Sequence, residues 1–339
     1  MKARRRERGI VLVMVLFFVL LLTSSIATFQ HRVTVDTMGV RNRDAAQRAE
    51  ALARGGVRLA TALLLEDRVR EGQIDFRAEG ANDVWAQVGG QEIDVGNGAT
   101  LTLDIADAGS RLNLNALFNA EGPLPQTEVF LTEVFRKVIE EMPVRPEEKL
   151  YDPQELAQNL IDWVDEDDVR ARGGLEDEPY QKQEPAYRAP NRRLLSVREL
   201  RLVEGFDAKL VDALVPYVDV HPLAGGKGIN PNTAPTWVLA LLFDGPIGEE
   251  RLANEDLVAR LADTRQDTVL CGDEGTGEHC LPLREVEIDP NTLFPAPTLE
   301  SDVFHVRAEA RIGEIQRRLD VVLDRSDPLA PRLLSWRMR

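Results

Sequence analysis

The residues best suited to chemistry crowd into one short stretch. Asp162, Asp165, Glu166, Asp167 and Asp168 put five carboxylates within seven residues, and Gly173-Gly174 leads to Glu176, Asp177 and Glu178. Like charges at this density repel one another unless water or a cation neutralises them, and a hard cation taking about six to eight oxygen ligands does the latter. Calcium is the natural candidate. The spacing is not that of an EF-hand, whose glycine and terminal Glu fall elsewhere, so a merely solvated acidic loop is the competing reading.

The only two cysteines, Cys271 and Cys280, flank a polar, Gly-rich loop. In an oxidising compartment they would pair, closing a loop for which chain entropy gives roughly 2.5 to 3 kcal/mol of stabilisation. Zinc held by both thiols and His279 is the alternative. Other chemistry is sparse. The four histidines stand at 31, 221, 279 and 305, and there is no HExxH pair, GxSxG elbow or phosphate loop. No carboxylates are singled out as a catalytic pair, so no enzyme is expected.

These groups must be positioned by a chain of 339 residues, enough for about two domains. Its formal net charge of -16 disfavours a phosphate-backbone partner. Positive charge gathers at the start, where Lys2, Arg4, Arg5, Arg6 and Arg8 outweigh Glu7 and leave about +4 on the first nine residues. Ile10 to Ala27 follows, an uncharged and nearly all-apolar run of 18 residues, just long enough to span a bilayer as a helix. The positive-inside rule keeps the basic flank cytoplasmic and puts the body beyond Arg32 on the far side, periplasmic or extracellular. An ordinary signal peptide cut after the small residues Ser25 and Ala27, or a plain uncleaved anchor, would fit those features.

Downstream, Ala45, Ala46, Ala49, Ala53, Val57, Ala60 and Leu64 recur at helical spacing, so the anchor is expected to continue as one long helix, weakened locally at Gly39 and at Gly55-Gly56. Strands are expected at Val84–Val88, Gln91–Val95 and Thr100–Ile105, and a hairpin at Val303–Ile312 and Ile315–Leu323. Between them, Val129–Glu141, Glu155–Val164 and Val197–Val203 read as helices. The expected fold is α+β. It has a long N-terminal transmembrane helix and a pilin-like antiparallel sheet, interrupted by an inserted all-α domain of SAM-like or helix-hairpin-helix type. The expected units are a leader at 1–9, a transmembrane helix at 10–30, a pilin-like domain at 31–111 and 244–325, an inserted helical domain at 112–243 and a tail at 326–339.

A basic leader ending Arg8-Gly9, directly before the apolar run at Ile10, resembles the class III leader of type IV pilins and pseudopilins, which prepilin peptidase cuts before that run. Five further segments look, in order, like the K pseudopilins of type II secretion. They are Asp107–Asn115, Leu160–Asp168, Tyr187–Asn191, Ser196–Gly205 and Ile229–Ala234. The resemblance implies processing between Gly9 and Ile10. It implies assembly with minor pseudopilins I and J, with the H and major G pseudopilins, and with the inner-membrane assembly platform. Most such proteins carry Glu at the fifth mature position and K members lack it; here that position is Met14. The resemblance further implies calcium in the helical domain, for which the favoured ligands are Asp165, Asp167 and Glu176, with Asp162, Asp168 and Asp177 as further candidates. It places the protein in the inner membrane as a single-pass component at the filament tip.

Leu200–Val218, with Gly205 between two apolar stretches, also looks like a helix-hairpin-helix. A membrane-anchored, competence-like DNA-binding protein is therefore the rival reading. Arg192, Arg193, Arg198, Arg201 and Lys209 lie nearby, but Glu199, Glu204, Asp207, Asp212 and Asp219 offset them, and no nucleic acid is expected as a partner.

Overall fold

A computed structural model describes residues 7–71, 78–143, 150–223, 227–246, 248–272 and 280–339. The apolar run and the Ala-rich stretch form a single helix of 65 residues, α1 (Glu7–Glu71). Its first half is exposed along Ile10–Val40. Further on, Ala49, Ala53, Val57, Ala60 and Leu64 are buried, a stripe at three-to-four residue spacing.

That stripe packs on a five-stranded antiparallel sheet built from β1 (Glu92–Gly96), β2 (Ala99–Asp107), β3 (Val303–Ile312), β4 (Ile315–Asp324) and β5 (Arg332–Met338), in that spatial order. Alternation does the sorting. Leu101, Leu103 and Ile105 on β2, Phe304, Val306, Ala308 and Ala310 on β3, and Leu319, Val321 and Leu323 on β4 share one core with the α1 stripe. Gly56 permits the close approach, since a Cβ there would stand 2.9 Å from Leu101 Cδ1 and 3.0 Å from Ala308 Cβ. The helix runs unbroken through Gly39 and the Gly55-Gly56 pair.

Beside this sheet Arg325 is completely buried. Its Nη1 donates to the Leu64 carbonyl at 2.8 Å and to Asp67 at 2.9 Å, its Nη2 reaches Glu79, and its guanidinium lies over the Phe304 ring. The last turns of α1 are thereby tied to the end of the sheet where β4 finishes and β3 begins.

The chain leaves that same end at Asp107 and returns at Val303. The inserted unit contains α2 (Thr127–Glu141), α3 (Pro153–Val164), α4 (Ala208–Leu214) and α5 (Glu255–Asp267), joined by one-turn helices and two-residue strands. Phe130, Phe135, Trp163, Leu200, Leu214 and Phe243 belong to its single large core.

Four expectations need correction. Val84–Gln87 is a turn of helix rather than a strand, its first bonds running from Ala86 N and Gln87 N to the Asp83 carbonyl while Trp85 turns into the sheet core. The insert is not all-α, since Leu112–Asn113 pairs in parallel with Val218–Asp219, and Phe243–Asp244 lies between two short strands. Nor does it stop at Phe243. Leu257, Leu261, Leu270, Leu283, Ile288 and Leu293 all pack into its core, so the segment before Val303 goes with the insert and not with the sheet. Finally, residues 326–339 are no mere tail, for β5 extends the sheet at β4.

Candidate functional site

The acidic stretch is the C-terminal exit of α3. Pro153 starts that helix, with the Asp152 carboxylate accepting from Gln154 N and Glu155 N, and it ends at Asp165, whose N–H donates to the Ile161 carbonyl. The chain then folds back on itself. Val169 bridges Leu175, Arg170 N donates to Gly174 O, and Gly173 and Gly174 take positive φ of 84° and 100° in the turn. Glycine is suited to that conformation. Glu176 is thus delivered beside Asp165.

Glu176 is 3% exposed, and neither of its carboxylate oxygens has a hydrogen-bond partner; Asp165 Oδ1 and Asn191 Oδ1 are buried in the same condition. Burial pushes Glu176 up to about 8, with Asp165, Asp162 and Asp167 adding to the effect. Asp165 rises to about 6 through burial and then through the charges of Asp167 and Asp162. Asp162 rises too, chiefly from burial, although its Oδ1 accepts from Ala171 N at 3.0 Å and Arg170 stands 3.9 Å away. Close carboxylates whose buried oxygens are unmatched by donors can be neutralised by protonation, which the raised pKa values favour, or by a cation. The donors are all oxygen, the set preferred by a hard divalent ion.

Not every candidate ligand joins. Asp167 contributes charge, while its Oδ1 accepts from Val169 N at 2.8 Å. Asp168 is exposed and offers its carbonyl to Glu176 N. Asp177 is engaged elsewhere, accepting from Ala189 N at 3.0 Å with Arg188 at 3.5 Å. Asn191, which was not among the candidate residues, adds a further unpartnered oxygen. Its Nδ2 donates to the Asp167 carbonyl at 2.6 Å, its φ is 44°, and the amide is so held that Oδ1 joins the orphan oxygens. The only sequence signal for it was its place at the end of the Tyr187–Asn191 segment.

A second carboxylate group, Asp67, Glu79 and Asp83, has ligand atoms within 4.8 Å of one another, but the Arg325 guanidinium already provides its counter-charge. Cys271 and Cys280 are joined by a disulfide with Cα atoms 5.8 Å apart. Both sulfurs are thereby occupied, which removes the zinc reading; His279 lies outside the described residues. Gly9 and Ile10 are both within α1, and residues 1–6 of the basic leader lie outside the described residues. Met14 is exposed on the stem.

The turn of the helix-hairpin-helix-like segment packs against α3. A Cβ at Gly205, φ 91°, would stand 2.9 Å from Leu156 Cδ2, and three of the nearby cations are matched at home, Arg201 by Asp212, Arg192 by Glu199 and Arg170 by Glu204, while Arg198 has no ion-pair partner among the described residues. Phosphate gripping needs exposed amides backed by free cations.

Residues 110–223 match the family described as Type II secretion system (T2SS), protein K. Curated relatives of that name include one from Klebsiella pneumoniae, 34% identical over 63% of this chain and 62% of its own length. Another, from Pseudomonas aeruginosa, is 31% identical over 71% and 69%. A third, from Pectobacterium carotovorum, is 26% identical over 92% and 90%. In fold, the chain resembles a chain of the crystal structure of the GspK-GspI-GspJ complex from the enterotoxigenic Escherichia coli type 2 secretion system, with a TM-score of 0.61 at 20% identity, covering 88% of this chain and 99% of that one. With a stem helix, a pilin-like sheet and these relatives, the chain belongs to the type II secretion system protein K family of minor pseudopilins.

Proposed function

We propose that this protein caps the tip of a type II secretion pseudopilus, initiates its assembly with minor pseudopilins I and J, and acts as a structural part rather than an enzyme. The observation that supports this reading most strongly is where the insert attaches. It springs from the end of the sheet that Arg325 ties to the last turns of α1, far along a 65-residue helix from the exposed apolar stem. Bulk at that end obstructs a neighbour stacked above and leaves the stem free to pack below. Met14 fits the same position, since a protein at the tip needs no carboxylate to pair with the amine of a neighbour. The mature protein would begin at Ile10 after prepilin peptidase cuts behind Gly9. It would sit in the inner membrane with its head in the periplasm, where the H and G pseudopilins and the assembly platform extend the filament from below. Labelled protein should appear once per filament, at an end, and N-terminal sequencing should read from Ile10; label along the whole shaft, or a start at Phe29, would refute the reading.

Calcium is the proposed occupant of the acidic pocket, with Glu176, Asp165 and Asn191 as principal ligands and Asp162 and Asp167 supporting them. Bound there, it would neutralise repulsion between α3 and the returning loop. In the full-length protein in detergent, calcium at about 100 times its dissociation constant should stabilise the folded state by about 2.7 kcal/mol. Asp165→Ala should abolish most of that shift. A melting temperature indifferent to millimolar calcium and to chelator would remove the site.

A further inference from the structure

The face of the sheet turned away from α1 is not covered evenly. Between it and the insert runs an open cleft of about 650 Å³. Six arginines line it, Arg111 and Arg198 from the insert and Arg307, Arg318, Arg337 and Arg339 from the sheet. Three carboxylates oppose them, and all are already committed, Asp104 to Arg307 at 3.6 Å. Asp320 is shared by Arg307 and Arg318, at 3.1 and 3.0 Å, and Asp219 is held between His221 and His305. Arg111, Arg198 and Arg337 have no ion-pair partner among the described residues. In a chain of net charge -16 this is a local reversal of sign.

The same cleft opens onto a free sheet edge. β5 pairs with β4 on one side, and no described strand pairs with it on the other. Register puts Ser335 and Arg337 opposite Val322 and Asp320, on the cleft face, and Trp336 opposite Val321, on the α1 face. Trp336 is 47% exposed there with Arg54 over its ring, and Leu333 beside it is 51% exposed. An edge strand carrying cations on one face and uncovered apolar side chains on the other defines its complement. Its backbone groups ask for a strand, its arginines ask for acids at alternate positions, and Trp336 and Leu333 ask for apolar residues between them.

We propose that the β5 edge and the cleft beside it receive, by strand addition, an extended segment of a partner polypeptide in which acidic and apolar residues alternate. A phosphate polymer or an anionic membrane would answer the arginines but leave the edge amides and the apolar row unused. A second copy of β5 would bring Arg332, Arg337 and Arg339 against their own kind, and like charges facing each other across strands are unfavourable.

The test uses full-length protein in detergent and a labelled ten-residue peptide alternating Glu and Val, followed by anisotropy. Saturable binding that weakens as salt rises is expected, with the Lys-and-Val counterpart failing to bind. Arg337→Glu should weaken binding at least about tenfold, and Trp336→Ala should weaken it as well, with an unchanged circular dichroism spectrum showing that both variants are folded. The proposal is overturned if the peptide does not bind, if Arg337→Glu leaves its affinity unchanged, or if an all-Glu peptide or inorganic polyphosphate binds as tightly as the alternating one. It is likewise overturned if the unliganded protein dimerises and Trp336→Ala makes it monomeric.

Discussion

The stem-and-sheet unit and the inserted unit are held together in different ways. In the first, long strands satisfy one another's backbone groups, β3 pairing along its length with both β2 and β4, and a stripe of small residues lets α1 lie close. In the second, the elements are short and side-chain amides and carboxylates do the joining. Asn115 Nδ2 donates to the carbonyls of Leu194 and Val220, and its Oδ1 accepts from Leu194 N. Asn232 clasps Leu270 by both its N–H and its C=O, and Asp107 Oδ2 accepts from Asn230 and Thr233. The segments Asp107–Asn115 and Ile229–Ala234, which carried the family resemblance, thus have a physical task. They fix long-range joins where ladders are too short to do so.

The contrast can be broken most forcefully at the buried Arg325 cluster of the sheet unit. Arg325→Met removes a guanidinium that neutralises Asp67 and Glu79, leaving carboxylates buried without their cation, a change that costs about 3 to 5 kcal/mol. Denaturant unfolding should show the loss in the sheet unit, with near-UV signals from the insert, such as Trp163, surviving to higher denaturant. Simultaneous loss of both signals would mean that the two units are one cooperative structure. The converse change is Asn115→Ala, which strands two carbonyls and an N–H inside the insert and should cost about 3 kcal/mol, each such group being worth about 1 to 3. Here Trp163 should report first.

This division also governs what could be read from the amino-acid sequence. Period-two alternation at Leu101, Leu103 and Ile105 and in the β3–β4 hairpin has one meaning, and both were legible. So was the α1 stripe, because Ala49, Ala53, Val57, Ala60 and Leu64 keep a helical period. Val84–Val88 has no such run, and the burial of one Trp in the sheet core decided it. The end of the insert was misplaced because the boundary is set by which core receives Leu257, Leu261 and Leu270, and local composition does not reveal that. In the acidic loop the five neighbouring carboxylates were legible, but which of them converge depends on the turn at Gly173-Gly174. Asn191 comes from a segment that folds against the loop only in three dimensions.

Asp219 is where the two units touch electrostatically, for it lies in the insert and is held by His305 from β3 and by His221 from its own segment. Burial alone would raise its pKa, but the charge of His305 and the hydrogen bonds from both imidazoles hold it well below the usual carboxylate range. The sign follows from linkage. The folded state keeps Asp219 ionised where the unfolded chain takes up a proton, so its contribution is complete above the ordinary value of 3.8 and drains away as pH falls below it. A loss of about 2 kcal/mol is expected between about pH 4 and pH 2, by comparison with a single paired Asp. Asp219→Asn should flatten that part of the stability profile, and an unaltered profile would mean that other carboxylates dominate acid unfolding.

The smallest test compares two adjacent glycines on α1 and turns on sign rather than size. Gly55 has nothing within 4 Å of the position a Cβ would take, and its backbone is helical. Gly55→Ala should therefore stabilise the protein by about 0.5 to 1 kcal/mol, since Ala gives up less conformational freedom on entering a helix. The same substitution one residue later gains as much from helix propensity but drives a methyl group to 2.9 Å from Leu101 and 3.0 Å from Ala308 and Leu103. Leucine side chains can shift a little, whereas the Ala308 methyl is fixed to a central strand. Overpacking of a tight core costs about 1 to 3 kcal/mol, so Gly56→Ala should be destabilising by about 1 kcal/mol net. Thermal melts of the two variants should move in opposite directions. If both rise, α1 sits further from the sheet than this packing requires, and the close seam of small residues is not what holds the stem-and-sheet unit together.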